Sequence, residues 1–378
     1  MANSNEQLNL NFDYSHQCNA LNVDLENIIA PDELKHVDRN CTGTGHNIID
    51  CKISNIDEHL QDVNGLSFSD IKSNGATPLE IPSMIPVISR RLFAYNTTFS
   101  FVGVTLKNIF KKEPIDKLYG VNRCQRSLKF NYDLYKQIAF RNKQIILFSS
   151  GPDCFIEEIW KKQNNINFFL ELKKLNFAMA TAINFSIFQG ECPFSQNYNL
   201  KKSLVTFSNL QKQNIQAIPH VYWGHVNHLK RWVEWLELYP DIKYISINCQ
   251  LCSHEFTPKV VTGIYYILSH LPQIHIILEG PKRHLLSHLI EVSSSIHIAT
   301  KWPSEYALNH RRIQLVSSQL KTTIDQENSV EFLLENNFQQ YKLFLDKYFF
   351  YRKLIKPVKH NSNLNYKNVY NTANNNED

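Results

Sequence analysis

Glycine is scarce in this 378-residue chain, with only 11 residues, about 3% of the total, against an average usage near 7%. Backbone positions that need a positive φ must therefore fall to asparagine, which is abundant here. The segment Cys41-Thr42-Gly43-Thr44-Gly45-His46 holds a Gly-x-Gly, but no strand pattern precedes it and no helical pattern follows, so it reads as a plain turn. No run approaches eighteen consecutive apolar residues, which excludes a transmembrane helix and a membrane partner of that kind. The first thirty residues are polar and acidic, the wrong chemistry for a signal peptide or an Arg-rich transit peptide. The eight cysteines therefore point to a reducing, intracellular setting, the cytoplasm or, for an organelle-encoded chain, the stroma. Cys249-Gln250-Leu251-Cys252-Ser253-His254 has no second Cys-x-x-Cys to complete a zinc site, so no metal is expected there. Nothing in the sequence names a cofactor. Runs of five or more basic residues are missing, as are zinc-finger, RNA-recognition and basic-zipper signatures.

What is present is a beat. Short β-branched runs ending in a polar residue recur at 145–150, 180–186, 216–222, 244–250, 274–280 and 296–300, separated by amphipathic stretches. Strands alternating with helices at this spacing predict βα units and a parallel sheet. Two further runs, at 86–90 and 99–104, bring the count to eight, the number that closes a (β/α)8 barrel of TIM-barrel type. Amphipathic stripes predict helices over 226–239, 259–271 and 282–292; in the first, Lys230, Arg231, Glu234 and Glu237 are placed on the wet face. After Thr300 the beat stops. Residues 311–320 are expected to form a barrel-closing helix and 329–355 a long aromatic-rich helix. The division is an acidic, poorly ordered extension over 1–78, a barrel over 79–325, a C-terminal helix over 326–356, and a disordered Asn-rich tail over 357–378.

Charge is unevenly spread. Residues 1–80 carry thirteen acidic and four basic side chains, leaving the rest of the chain at +14 although the whole is only +5. A basic body suits an anionic partner, either a small-molecule substrate or a nucleic acid. Lysine pairs such as Lys161-Lys162, Lys173-Lys174 and Lys201-Lys202 are the clusters that would grip phosphates.

In a parallel α/β fold, chemistry collects at the carboxyl ends of the strands. Reading those ends gives Asp153, His220 and Glu279 as an acid–base set, because two carboxylates in unlike surroundings and a histidine near neutrality can hold and release protons in one site. Ser150, Asn184, Asn248 and Gln250 are candidate orienting groups, Trp223 a stacking surface, and Lys301 a cation for phosphate or a developing anion. Cys154 and Cys192 read as packing residues rather than nucleophiles.

The segments Phe148-Ser149-Ser150-Gly151-Pro152-Asp153, Ala182-Ile183-Asn184-Phe185-Ser186 with Pro193, and Ile218-Pro219-His220-Val221-Tyr222-Trp223 resemble an uncharacterised family of domains of unknown function found in phages, plasmids and other mobile elements. The resemblance spans residues 80–305 and implies a TIM-barrel-like body and a link to mobile DNA, with no activity to carry over. Two functions are in play. One is a hydrolase or transferase acting on a phosphorylated or nucleotide-like substrate. The other is a non-catalytic nucleic-acid-binding protein of a plasmid, phage or organelle genome.

Overall fold

The computed structural model describes residues 53–75, 79–95, 97–110, 128–132, 143–187 and 193–350. The turn at 41–46, Cys192, most of the acidic leader and the tail after 350 lie outside the described residues.

Eight strands run parallel in two sheets of four. β1 (Met84–Pro86), β2 (Phe101–Thr105), β3 (Gln144–Phe148), β4 (Met179–Thr181), β5 (Ala217–Ile218), β6 (Tyr244–Asn248), β7 (His275–Glu279) and β8 (Ile296–Thr300) follow the chain. One sheet has the order β1-β8-β7-β6 and the other β2-β3-β4-β5. Two isolated parallel bridges, Val87 with Gly103 and His220 with Ser246, join residues beside the end strands of the two sheets. The mixed α/β class with parallel sheets is thus as the alternation predicts.

Helices return the chain between strands: α2 (Asp153–Lys162), α3 (Phe168–Lys174), α4 (Pro193–Lys212), α5 (Val226–Glu237), α6 (Thr257–His270), α7 (Arg283–Ser287) and α8 (Trp302–Leu308), preceded by α1 (Ile53–Val63). In α5 the stripe Leu229, Trp232, Val233 and Leu236 is buried, while the His225 side chain accepts from the Asn227 amide and caps the first turn.

Alternation along each strand separates two cores. Ile85, Val87, Ile146, Phe148, Met179, Ile218, Tyr244, Ile277 and Ala299 form one cluster with Ile81. Their neighbours, such as Ile145, Leu147, Ile245, Ile247, Ile276 and Leu278, pack in a far larger cluster with the helices. This is the period-two face switch of a pleated strand buried on both sides. Burial of each such side chain contributes about 1.5–3 kcal/mol.

Four regions depart from the sequence expectations: the first strand covers Met84–Pro86 rather than 86–90, the helix expected over 282–292 is the short α7 followed by a 3-10 stretch, Ile290–Ser295, and two more depart further. Residues 53–75 are docked rather than loose: Asp62, in the last turn of α1, accepts from Trp160 Nε1 at 2.8 Å and Tyr198 Oη at 2.6 Å, and a strap follows across the helices. Arg231, placed on a wet face by the helical wheel, instead donates to the Leu66 carbonyl at 2.6 Å and covers the Phe68 ring. Trp235 likewise donates to the Ile71 carbonyl. Residues 311–320, expected as a helix, belong to an antiparallel hairpin of β9 (Arg311–Val316) and β10 (Gln319–Ile324). Its two-residue turn is entered through Ser317 at φ 57°. The alternation Ile313, Leu315 with polar residues between favours a strand, and the outer edge of β9 is satisfied by the next helix, α9 (Val330–Leu345). That helix is capped by the Ser329 side chain and runs into a π-helical turn, Asp346–Phe350.

Candidate functional site

The face that carries the smaller core continues, at the carboxyl ends, as polar residues. Two positions beyond Phe148 is Ser150, beyond Ile218 is His220, beyond Ile277 is Glu279, and beyond Tyr244 come Ser246 and then Asn248. Period two therefore delivers a serine, a histidine and a carboxylate from β3, β5 and β7 to one side.

Glu279 is the hub. Only 2% exposed, it accepts from Ser150 Oγ at 2.6 Å through one oxygen and from Ser246 Oγ through the other. Nδ1 of His220 stands 3.6 Å from the second oxygen, beyond hydrogen-bond length but close enough for strong charge coupling. Burial pushes the Glu279 carboxyl up; the His220 imidazole, then the Ser150 and Ser246 hydroxyls, outweigh it and hold the group below its ordinary value. Glu279 is therefore held as a carboxylate. His220 is buried, and neither of its ring nitrogens has a hydrogen-bond partner. The Asn184 side-chain oxygen is buried and unpartnered too.

Gln250 leans in from the loop after β6, its amide 3.5 Å from Ser150 Oγ. Its own backbone N–H is held by Asn248 Oδ1 at 3.0 Å, an Asx-type turn. Gly280 is needed beside it: its φ is +62°, and a Cβ there would lie 2.6 Å from Gln250 Cγ.

Ser150, His220, Gln250 and Glu279 are thus brought together, with Asn248 supporting Gln250. Asp153, at the start of α2 three residues after Ser150, accepts from Ser186 Oγ at 2.5 Å. Burial raises its carboxyl above the ordinary value; the Ser186 hydroxyl opposes this and Glu157 reinforces it. Trp223 lies on α6, so close over Gly263 that a Cβ there would be 2.2 Å from its ring. Lys301 turns to Glu305 of its own helix at 3.2 Å, with the side chain half exposed. Ser246 went unread in the sequence because a serine inside a strand looks like a small core residue; its place two before Asn248 on the same face was the available signal.

Two further motifs change meaning. Lys201 and Lys202, counted as phosphate-gripping, are both buried on α4. Lys202 pairs with Glu157 at 2.6 Å under the rings of Phe185 and Tyr198, and Lys201 binds Asp70 and the Ser67 carbonyl. Both cysteines of the Cys-x-x-Cys are buried, and burial raises each thiol, Cys249 well above its ordinary value. They are protonated near neutrality and poor nucleophiles or ligands in that state. Among the described residues no group of three or more His, Cys, Asp or Glu side chains is placed to hold a metal ion. No described helix is long and apolar enough to cross a membrane.

No protein-family model and no curated protein matches this chain.

Proposed function

We propose that the two sheets close into a (β/α)8 barrel and that the chain is an enzyme, a hydrolase or transferase of phosphorylated or nucleotide-like compounds, with His220 and Glu279 as its proton-handling pair. Closure is supported by the two parallel bridges between the sheets and by the bond from Ser150, after β3 of one sheet, to Glu279, on β7 of the other. It is also supported by the separate small core lined by alternate residues of seven strands, as a barrel interior requires.

The observation that carries the enzymatic reading is His220 itself. A buried imidazole with two unpartnered nitrogens, 3.6 Å from a carboxylate held ionised, is expensive unless a ligand completes it. With Nδ1–H turned to Glu279, Nε2 presents a lone pair: it takes a proton from an attacking hydroxyl or water, and the imidazolium so formed is stabilised by Glu279. Ser150 and Ser246 fix the carboxylate, and Asn184 and Gln250 orient the substrate. The link to mobile DNA rests on the sequence resemblance.

The competing nucleic-acid reading loses part of its basis with Lys201 and Lys202 buried. Turnover decides between them. Phosphate monoesters, nucleotides and sugar phosphates are offered to wild type, His220→Asn and Glu279→Gln; losses of about 10²–10⁴-fold in both variants are expected for removal of a general acid–base. Equal rates in all three proteins would end the assignment, and so would failure to turn over any member combined with a log–log salt slope for DNA steeper than about −4.

A further inference from the structure

The loops after β6 and β7 carry a second polar cluster that the acid–base pair leaves unused. Both spring from the hub: Gln250 lies two residues before Cys252, and Gly280, against which Gln250 packs, lies two residues before Lys282. From the first loop His254 reaches the ring of His284 in the first turn of α7, which follows the second, with centroids 3.7 Å apart and planes 25° from parallel. Nε2 of His284 and Oγ of Ser253 are each buried without a hydrogen-bond partner. Lys282 is near enough to bear on both Cys252 and His284, and His288 also bears on His284. Among the described residues no ion pair engages Lys282, His254 or His284; Glu255, exposed and next to His254, bears on Lys259. Burial, and after it the neighbouring His254 and Lys282, hold His284 below its ordinary value. The exposed Lys282 ammonium, two stacked imidazoles and a free hydroxyl are thus neighbours with no ion pair among them. An oxyanion would supply the charge and accept from Lys282 and Ser253 Oγ, and from His284 Nε2 once that ring, which also bonds the Ser253 backbone, is protonated.

We propose that Ser253, Lys282 and His284, with His254 stacked behind, form an oxyanion subsite that holds the phosphoryl group of the substrate while its reacting atoms lie at His220 and Glu279. The assignment rests on the reading of the chain as an enzyme of phosphorylated compounds, and it names the residues that recognise them. Three groups arriving from the loop after β6 and from the start of α7 suit a tetrahedral dianion, and a dianion there favours the protonated, donating form of His284.

The test is direct binding of inorganic phosphate to the full chain, followed by calorimetry at about pH 6.5, where histidine protonation is accessible, with chloride as the control anion. Saturable one-site binding is expected in wild type and in His220→Asn. Losing a charge-assisted bond should weaken it about tenfold or more in Lys282→Ala and His284→Gln and about threefold in Ser253→Ala, with melting temperatures unchanged. Absence of saturable binding in wild type, or affinities indifferent to all three substitutions, would overturn the subsite, as would binding of an oligonucleotide but not of phosphate. Binding is read without turnover. Normal phosphate binding with equal turnover in His220→Asn and wild type therefore removes the proton-handling pair alone, whereas lost turnover in that variant without phosphate binding removes the subsite alone.

Discussion

Glu279, buried at the end of β7, and Asp153, half-buried after β3, are both carboxyls at the carboxyl end of a strand, yet their surroundings drive them in opposite directions. Glu279 sits below its ordinary value because an imidazole and two hydroxyls overcome burial. Asp153 sits above it because one hydroxyl cannot. Linkage turns this into a signed expectation. A depressed carboxyl stabilises the fold above its unfolded value, about 4.3, and loses that contribution as pH falls through its lower folded value. A raised carboxyl costs stability above its folded value, and the cost vanishes below about 3.9. Glu279→Gln should therefore be less stable than wild type at pH 8, with the gap shrinking in acid; Asp153→Asn should match or exceed wild type at pH 8, with its advantage gone near pH 3. Denaturant midpoints across that range check both signs. Ser150, His220, Gln250 and Glu279 were legible from the sequence because they end hydrophobic strands. Asp153's bond to Ser186 was not, since it joins loops that follow two different strands.

At the scale of elements, the hairpin β9–β10 owes its form to a distant partner. Helical and strand periods compete over a short run containing Ile313, Leu315 and Leu320, and a helix that follows later in the chain decides between them. Asn337 of α9, fully buried, accepts from the Ile313 amide at 2.7 Å and donates to the Arg311 carbonyl at 2.8 Å. Gln340 accepts from the Leu315 amide at 2.9 Å. Side-chain amides of a helix thus stand in for a third strand along the outer edge of β9, which otherwise would leave backbone groups unpaired in the interior. Asn337→Ala strands an N–H and a C=O together and should cost about 2–6 kcal/mol of stability, at roughly 1–3 kcal/mol for each orphaned group. Chemical unfolding measures it, and a cost under about 0.5 kcal/mol would mean that water or a shifted edge replaces the amide. The docked strap over 53–75 was not legible in the sequence for a related reason. Beside the buried Val63, Phe68 and Ile71, its anchors are backbone carbonyls and the carboxylates of Asp62 and Asp70, met by Trp160, Tyr198, Lys201, Arg231 and Trp235, and such polar anchors follow no period that a sequence displays.

For the whole molecule, the alternation of strand and helix was sufficient to predict parallel β-sheet and helical returns, because strands buried on both faces announce themselves as β-branched runs. Whether two four-stranded sheets meet is a matter of register between distant segments, which no local pattern encodes. The functional proposal depends on that meeting, for Ser150 and His220 follow strands of one sheet while Ser246 and Glu279 lie on strands of the other. A double-mutant cycle between Ser150→Ala and Glu279→Gln, read by equilibrium unfolding, tests it across the two sheets in one quantity. A buried hydroxyl-to-carboxylate bond predicts a coupling of about 1–3 kcal/mol; losses that add to within about 0.3 kcal/mol would mean that the two side chains do not meet and that the centre built on them does not exist.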